Sequence, residues 1–69
     1  MDAQTVLFME MAKMKIRTIP ELSRRTGIKR TTAYERVNHP ETMTVAELRE
    51  IVRVTNMADE QIAKIVRGK

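Results

Sequence analysis

Between Thr18 and Val37 the chain reads TIPELSRRTGIKRTTAYERV. The second half of this stretch gathers side chains able to bond to nucleic acid. They are the guanidinium of Arg30, the hydroxyls of Thr31 and Thr32, the phenol of Tyr34 and the carboxylate of Glu35, with Lys29 ahead and Asn38 and His39 behind. A guanidinium offers a planar fork of donors, a hydroxyl donates and accepts, and a carboxylate only accepts. The first half carries the signals that would position them. Thr18-Ile19-Pro20-Glu21 has the pattern of a capping box, with Thr18 bonding the backbone N–H of Glu21 and Glu21 reaching back to that of Thr18. Pro20 suits a first helical turn, where no intrahelical N–H bond is lost. Gly27 can take the left-handed conformation that ends a helix, and Ile28 is an apolar plug behind it.

These signals predict a helix from Ile19 to about Arg25, a glycine turn, and a second helix over about 29–37. In the second helix Ala33 and Val37, four apart, share the inner face, while Arg30, Thr31, Tyr34 and Glu35 project outward. Asn38-His39-Pro40 closes it, because Pro40 disfavours helical geometry at His39.

The chain has 69 residues, which is one domain, residues 1–69. A core this small yields only about 3–5 kcal/mol of net stability, so helix packing or a partner chain must help. There is no cysteine and a single histidine, His39. Disulfides and cysteine zinc sites are excluded, and His39 with carboxylates alone is a poor metal site. There is no glycine-rich phosphate loop, and so small a helical chain leaves little room for a substrate pocket. The reading is a protein that is not an enzyme, with no cofactor and no metal. The longest apolar run, Val6 to Met9, is far below the ~20 residues that cross a bilayer. Met1-Asp2 lacks the basic start of a signal peptide, so the expectation is a soluble, intracellular protein without membrane contact.

The net charge is +4, and it is one-sided. Residues 1–40 carry eight Lys and Arg against four Asp and Glu, while residues 41–69 carry five of each. A basic half favours a polyanion by steering and counterion release. On charge alone, a polyanion partner and a plain solubility charge are equally supported.

The flanks predict three more helices. Residues 3 to about 15 are good helix formers without Gly or Pro. Leu7, Met11 and Met14 fall on one side, Phe8, Met9, Ala12 and Ile16 on another, and the polar sector around Glu10, Lys13 and Lys15 is narrow. Such a helix is either deeply packed or offers its second stripe to another subunit. After a loop at 41–44, Thr44-Val45-Ala46-Glu47 is a second capping box with Met43 and Leu48 as its staple. The fourth helix runs to about Thr55 with Leu48, Ile51, Val52 and Val54 inward, and Asn56 terminates it. The fifth spans about 59–67, with Met57 and Ile62 as staple and Ile62, Ile65 and Val66 inward, and Gly68-Lys69 frays. No strand alternation, repeat or linker is present. The expected fold is all-α, five short helices.

Helix, glycine turn and helix at this spacing resemble the helix-turn-helix of the lambda-repressor-like (Cro and phage repressor) DNA-binding family. The helix-turn-helix falls at about 19–37, with one helix before it and two after. Gly27 through Pro40, then Thr42-Met43-Thr44 and Glu47-Leu48, are similar to small phage-derived transcription regulators. The chain also departs from the family pattern. Ser23 stands where Ala is usual, Ile19 where Gln often grips phosphate, Lys29 where Ser or Thr caps, and Ala58 where Ser or Asp caps. Ala33 is smaller than the common core residue, and the inward position near the end of the helix is Arg36, leaving Val37 to fill the core.

The resemblance implies that the helix over about 29–37 enters the major groove of double-stranded DNA with its N-terminal part at base edges. Arg30 is the leading base contact, bonding O6 and N7 of guanine, with a phosphate contact or a solvated arginine as alternatives. Thr31 can meet a base or fill a first turn. Tyr34 can pack on a thymine methyl or sugar, or on the domain surface. Glu35 can accept from cytosine N4 or pair with a neighbouring Arg, and the pairing is the favoured reading. Phosphate contacts are expected from Lys29, Thr32, Asn38, His39 and Thr18. The functional expectation is a sequence-specific regulator, a phage or prophage repressor or Cro-like protein, in the cytoplasm of a bacterial host cell. It would act as a homodimer through helix 1 or helix 5, since one helix reads few base pairs. The alternative is a protein-interaction module, an antirepressor or adaptor, docking through the apolar helix 1. A domain detached from a larger repressor is a third possibility.

Overall fold

The structure, a computed structural model, describes residues 2–68; the expectations for Met1 and Lys69 fall outside the described residues. Five α-helices follow one another: α1 (Ala3–Lys13), α2 (Ile19–Thr26), α3 (Arg30–Asn38), α4 (Val45–Thr55) and α5 (Asp59–Arg67). A 3-10 turn, Pro40–Thr42, occupies what the sequence suggested was plain loop. It forms because His39 accepts from the Thr42 N–H at 2.9 Å and from the Thr42 hydroxyl at 2.7 Å. The all-helical expectation holds, and no described residue is in a strand.

The α1 helix starts on Asp2, whose carboxylate accepts from the Thr5 N–H at 2.8 Å. It ends two residues before the expected boundary, because Lys15 takes a left-handed φ of 60°. Such a conformation costs an ordinary residue about 1–2 kcal/mol. Here it turns the chain back so that Ile16 is buried and its N–H reaches the Met11 carbonyl at 2.9 Å. The faces of α1 also differ from expectation. Val6, Leu7 and Met11 are buried, but so is Glu10, placed in the polar sector by sequence. Phe8 (43%), Met9 (40%) and Met14 (41%) are exposed, and so is Ala12. Glu10 is drawn inward by Gln61 on α5, which donates to it.

The core is formed by Val6, Leu7, Met11, Ile16, Leu22, Val37, Ile51, Met57 and Ile65, closed by half-buried Ile19, Ile28, Met43, Leu48, Val52, Val54 and Ile62. The inward assignments of α4 hold, and Asn56 ends it with φ 52°. On α5, Ile65 is buried, but Val66 is 69% exposed and is not an inner residue. Gly68 does not fray as expected. It caps α5 in a left-handed conformation and donates to the carbonyls of Lys64 and Ile65. Among the described residues, no buried side-chain nitrogen or oxygen lacks a hydrogen-bond partner.

Candidate nucleic-acid interface

The interface is built by the turn between α2 and α3. Thr18 caps α2, its hydroxyl accepting from the Glu21 N–H at 3.2 Å, and its own O–H is still able to donate outward. Only half of the expected capping box is present. Glu21 turns its carboxylate to Arg24 and to Arg25 (2.8 Å) instead of back to Thr18, because two charged partners one turn away outcompete a single amide. The hydrogen bond from Arg25, followed by that from Arg24, holds the Glu21 carboxyl below its ordinary range.

Gly27 ends α2 with φ 78°, as its type and place predict. The bend is then fixed from both sides at Ile28. Its N–H donates to the Thr26 hydroxyl at 3.2 Å, and its carbonyl accepts from the Ser23 hydroxyl at 2.5 Å. Thr26 in turn donates to the Leu22 carbonyl at 2.8 Å. Arg53 of α4 donates to the Arg25 carbonyl at 3.1 Å, satisfying an acceptor left open at the end of α2, and pairs with Glu50 at 2.8 Å. Ser23, Thr26 and Arg53 were not among the sequence candidates. The hydroxyl pair flanking Gly27 was the available signal, whereas Arg53 lies 28 residues from its acceptor and gives none.

The α3 helix spans Arg30–Asn38, one residue later than expected at each end. Ala33 and Val37 are buried. Arg30, Thr31, Tyr34 and Glu35 are all exposed and lie on two adjacent turns of its outer face. The side chains of Arg30 and Lys29 have no carboxylate partner among the described residues. Glu35 has no basic partner among the described residues: the favoured arginine pairing is absent, and Arg36, its neighbour, points to Glu47 on α4. Lys29 occupies the cap position of α3 and makes no side-chain cap, so the first-turn N–H groups are open.

The phosphate candidates fall at the two ends of α3 and at the start of α2. Thr32 is half-buried and lines a shallow cleft, of about 360 Å³, with Lys29, Gly27, Ala46 and Glu47. Asn38 is exposed, but its Oδ1 accepts from Gln4 at 3.2 Å, tying α3 to α1. His39 follows α3, its N–H donating to the Glu35 carbonyl, and its imidazole lies 3.6 Å from Glu41. Thr18 stands apart from these at the cap of α2.

Arg36 completes the frame. Its Nε donates to Glu47 Oε1 at 2.8 Å and its guanidinium also reaches the Thr42 hydroxyl at 3.2 Å. Glu47 is the third helical residue of the full capping box on α4, where Thr44 and Glu47 bond reciprocally. The Thr44 N–H, more than Arg36, lowers the pKa of Glu47. The arrangement presents a fixed helix with donors and acceptors facing outward and unneutralised cations at its leading end, which suits a polyanion with readable edges.

No curated protein and no solved structure matches the chain at a significant level. Residues 7–69 match the family of Cro/C1-type HTH DNA-binding domains, a span that takes in the turn and both its helices, and the chain belongs to that family of double-stranded DNA-binding domains.

Proposed function

We propose that the chain, as one domain over residues 1–69, is a sequence-specific transcription regulator of the phage or prophage repressor or Cro-like kind. It reads DNA with α3 in the major groove and acts by binding rather than catalysis. The observation that carries this reading is the outer face of α3, where Arg30, Thr31, Tyr34 and Glu35 are exposed together and Arg30 has no carboxylate partner among the described residues. Arg30, Thr31, Tyr34 and Glu35 meet base edges in this reading. Thr18, Lys29, Thr32, Asn38 and His39 hold phosphates, and the cytoplasm of a bacterial host is the setting.

The reading includes a homodimer on a two-fold operator, with half-sites about 34–36 Å apart. Two faces are open to a second copy. One is α1, through Phe8 and Met9. The other is the groove between the 3-10 turn, α4 and α5, of about 230 Å³, bordered by Val45 (67% exposed) and Val66. Selection of bound sequences from a random DNA pool, with the mass measured in solution, tests the proposal. Recovery of no preferred sequence overturns it.

The exposed Phe8, Met9 and Met14 favour a second reading, in which α1 docks another protein and the basic turn is incidental. Absence of retention on DNA at low salt selects that reading.

A further inference from the structure

We infer that Arg36 is a positioning residue for DNA recognition: its bonds to Glu47 and Thr42 set the tilt of α3 and so decide which side chains reach the bases together. The inference rests on the DNA-reading proposal above. The α3 helix hangs from the turn at Gly27, which Ser23 and Thr26 fix at Ile28. Ala33 and Val37 seat its inner face, and its tilt toward α4 is left to whatever joins the two helices. Between the first turns of α3 and α4 lies the open cleft bordered by Thr32, Ala46 and Glu47 rather than packed side chains. At the far end Val37 packs into the core and Asn38 is tied to Gln4 of α1, while the link to α4 is polar. Arg36 Nε donates to Glu47 Oε1, the same oxygen that accepts from the Thr44 N–H at 2.8 Å. One carboxylate oxygen thus joins α3 to the rigid start of α4. The second arm of the guanidinium reaches the Thr42 hydroxyl, itself bound to the His39 carbonyl where α3 ends.

A planar fork suits this role, since two bonds to different elements fix rotation as well as distance. The Arg36 side chain is 25% exposed and that of Glu47 17%, so water screens the pair less than the surface pairs of Arg24 or Arg53. The geometry also gives the lever. Tyr34 lies about 7.5 Å along the axis from the cap of α3, so a swing of about 10° displaces it by more than about 1 Å. Arg30, next to the pivot, moves little. Release of Arg36 therefore separates Tyr34 and Glu35 from Arg30 in register rather than removing the interface.

The test uses Arg36→Met, Arg36→Lys and Glu47→Gln in the full chain. Glu47→Gln keeps a capping box and loses the charge that holds Arg36. Two quantities are measured: the affinity ratio of the preferred site over random duplex, and the angle between α3 and α4 in the DNA-free protein from residual dipolar couplings. The expected result is a ratio lowered about tenfold, the scale of one mismatched base pair, a changed angle, and an unchanged slope of affinity against salt. A ratio and angle both unchanged in the folded variants overturn the inference. A salt slope lowered by about one also overturns it, since Arg36 would then touch phosphate itself. A parent that shows no site preference defeats the DNA-reading proposal, and the angle still decides the hold on α3. Should Arg36→Met fail to fold, Arg36→Lys and Glu47→Gln carry both measurements.

Discussion

Gln61 on α5 donates to the carboxylate of Glu10 on α1 at 3.1 Å, and Lys13 donates to the same oxygen at 2.9 Å. The carboxylate is buried, and the hydrogen bond from Gln61, then that from Lys13, holds its pKa below the ordinary value near 4.5. The folded state therefore binds this proton less tightly than the unfolded chain. The stabilisation is complete above the ordinary value and is lost as pH falls through the lowered one. Glu47 acts with the same sign. The unfolding midpoint should stay level from about pH 7 to about pH 5 and fall steeply below about pH 4.5. Glu10→Gln should flatten the acid limb, and Glu10→Ala should cost about 1–3 kcal/mol at neutral pH by stranding Gln61. Thermal unfolding followed by circular dichroism across pH checks both; an acid limb unchanged in Glu10→Gln would exclude the assignment.

Arg30→Ala should lower affinity for the preferred DNA site about 5- to 150-fold, the worth of one good base contact, and leave the melting temperature unchanged. Its side chain is exposed and has no protein partner among the described residues, so the fold loses nothing. Equal affinity of variant and parent for that site would remove Arg30 from the base contacts.

Lys29→Ser should separate stability from binding. Serine can cap the open first turn of α3, which lysine does not, adding about 1 kcal/mol to stability. The same change deletes a cation at the leading end of α3 and should reduce the slope of log affinity against log salt by about one. Denaturant unfolding and a salt titration give the two numbers, and a slope equal to that of the parent would show that Lys29 does not hold phosphate.

Gly27→Ala should destabilise by about 1–2 kcal/mol, from backbone strain alone. A Cβ there meets nothing within 4 Å, yet φ is 78°. Gly27→Asn should cost less, since Asn tolerates the left-handed region better. Equal losses for the two variants would point to a steric origin instead.

Phe8→Glu and Val66→Glu address the two faces offered to a second copy. Val66 is 69% exposed and Phe8 43%, and neither is a core residue, so neither variant should melt more than a few degrees below the parent. One of the two should shift the solution mass from dimer to monomer. A parent that is monomeric on DNA and off it would end the dimer reading.

The helix order, the glycine turn and the α4 capping box were legible because each rests on contacts within four residues. Thr44 with Glu47, and Gly27 at the end of α2, needed nothing from the rest of the chain. The faces of α1 were not legible. Which of its stripes meets the core depends on Gln61, 51 residues away, and on Lys15 turning the chain so that Ile16 fills the interior. Val66 was misplaced for a like reason: Ile65 already fills the inner position on α5, and its apolar neighbour is left outside. On the interface the exposed set on α3 followed from helical spacing, whereas Arg36 and Arg53 act across 11 and 28 residues and left no pattern to read.

The engagement of Glu21 by both Arg24 and Arg25 narrows the molecule's long-range field. Together with Glu10 on Lys13 and Glu47 on Arg36, it leaves Lys15, Arg17, Lys29 and Arg30 as the cations of the basic half without a carboxylate partner among the described residues. They flank the two ends of α2, so the attraction acts as a torque as well as a pull. A chain drifting toward a duplex is rotated before contact, with the face that carries α2 and the start of α3 leading, and the fraction of collisions that arrive face-on exceeds what the net charge alone would give.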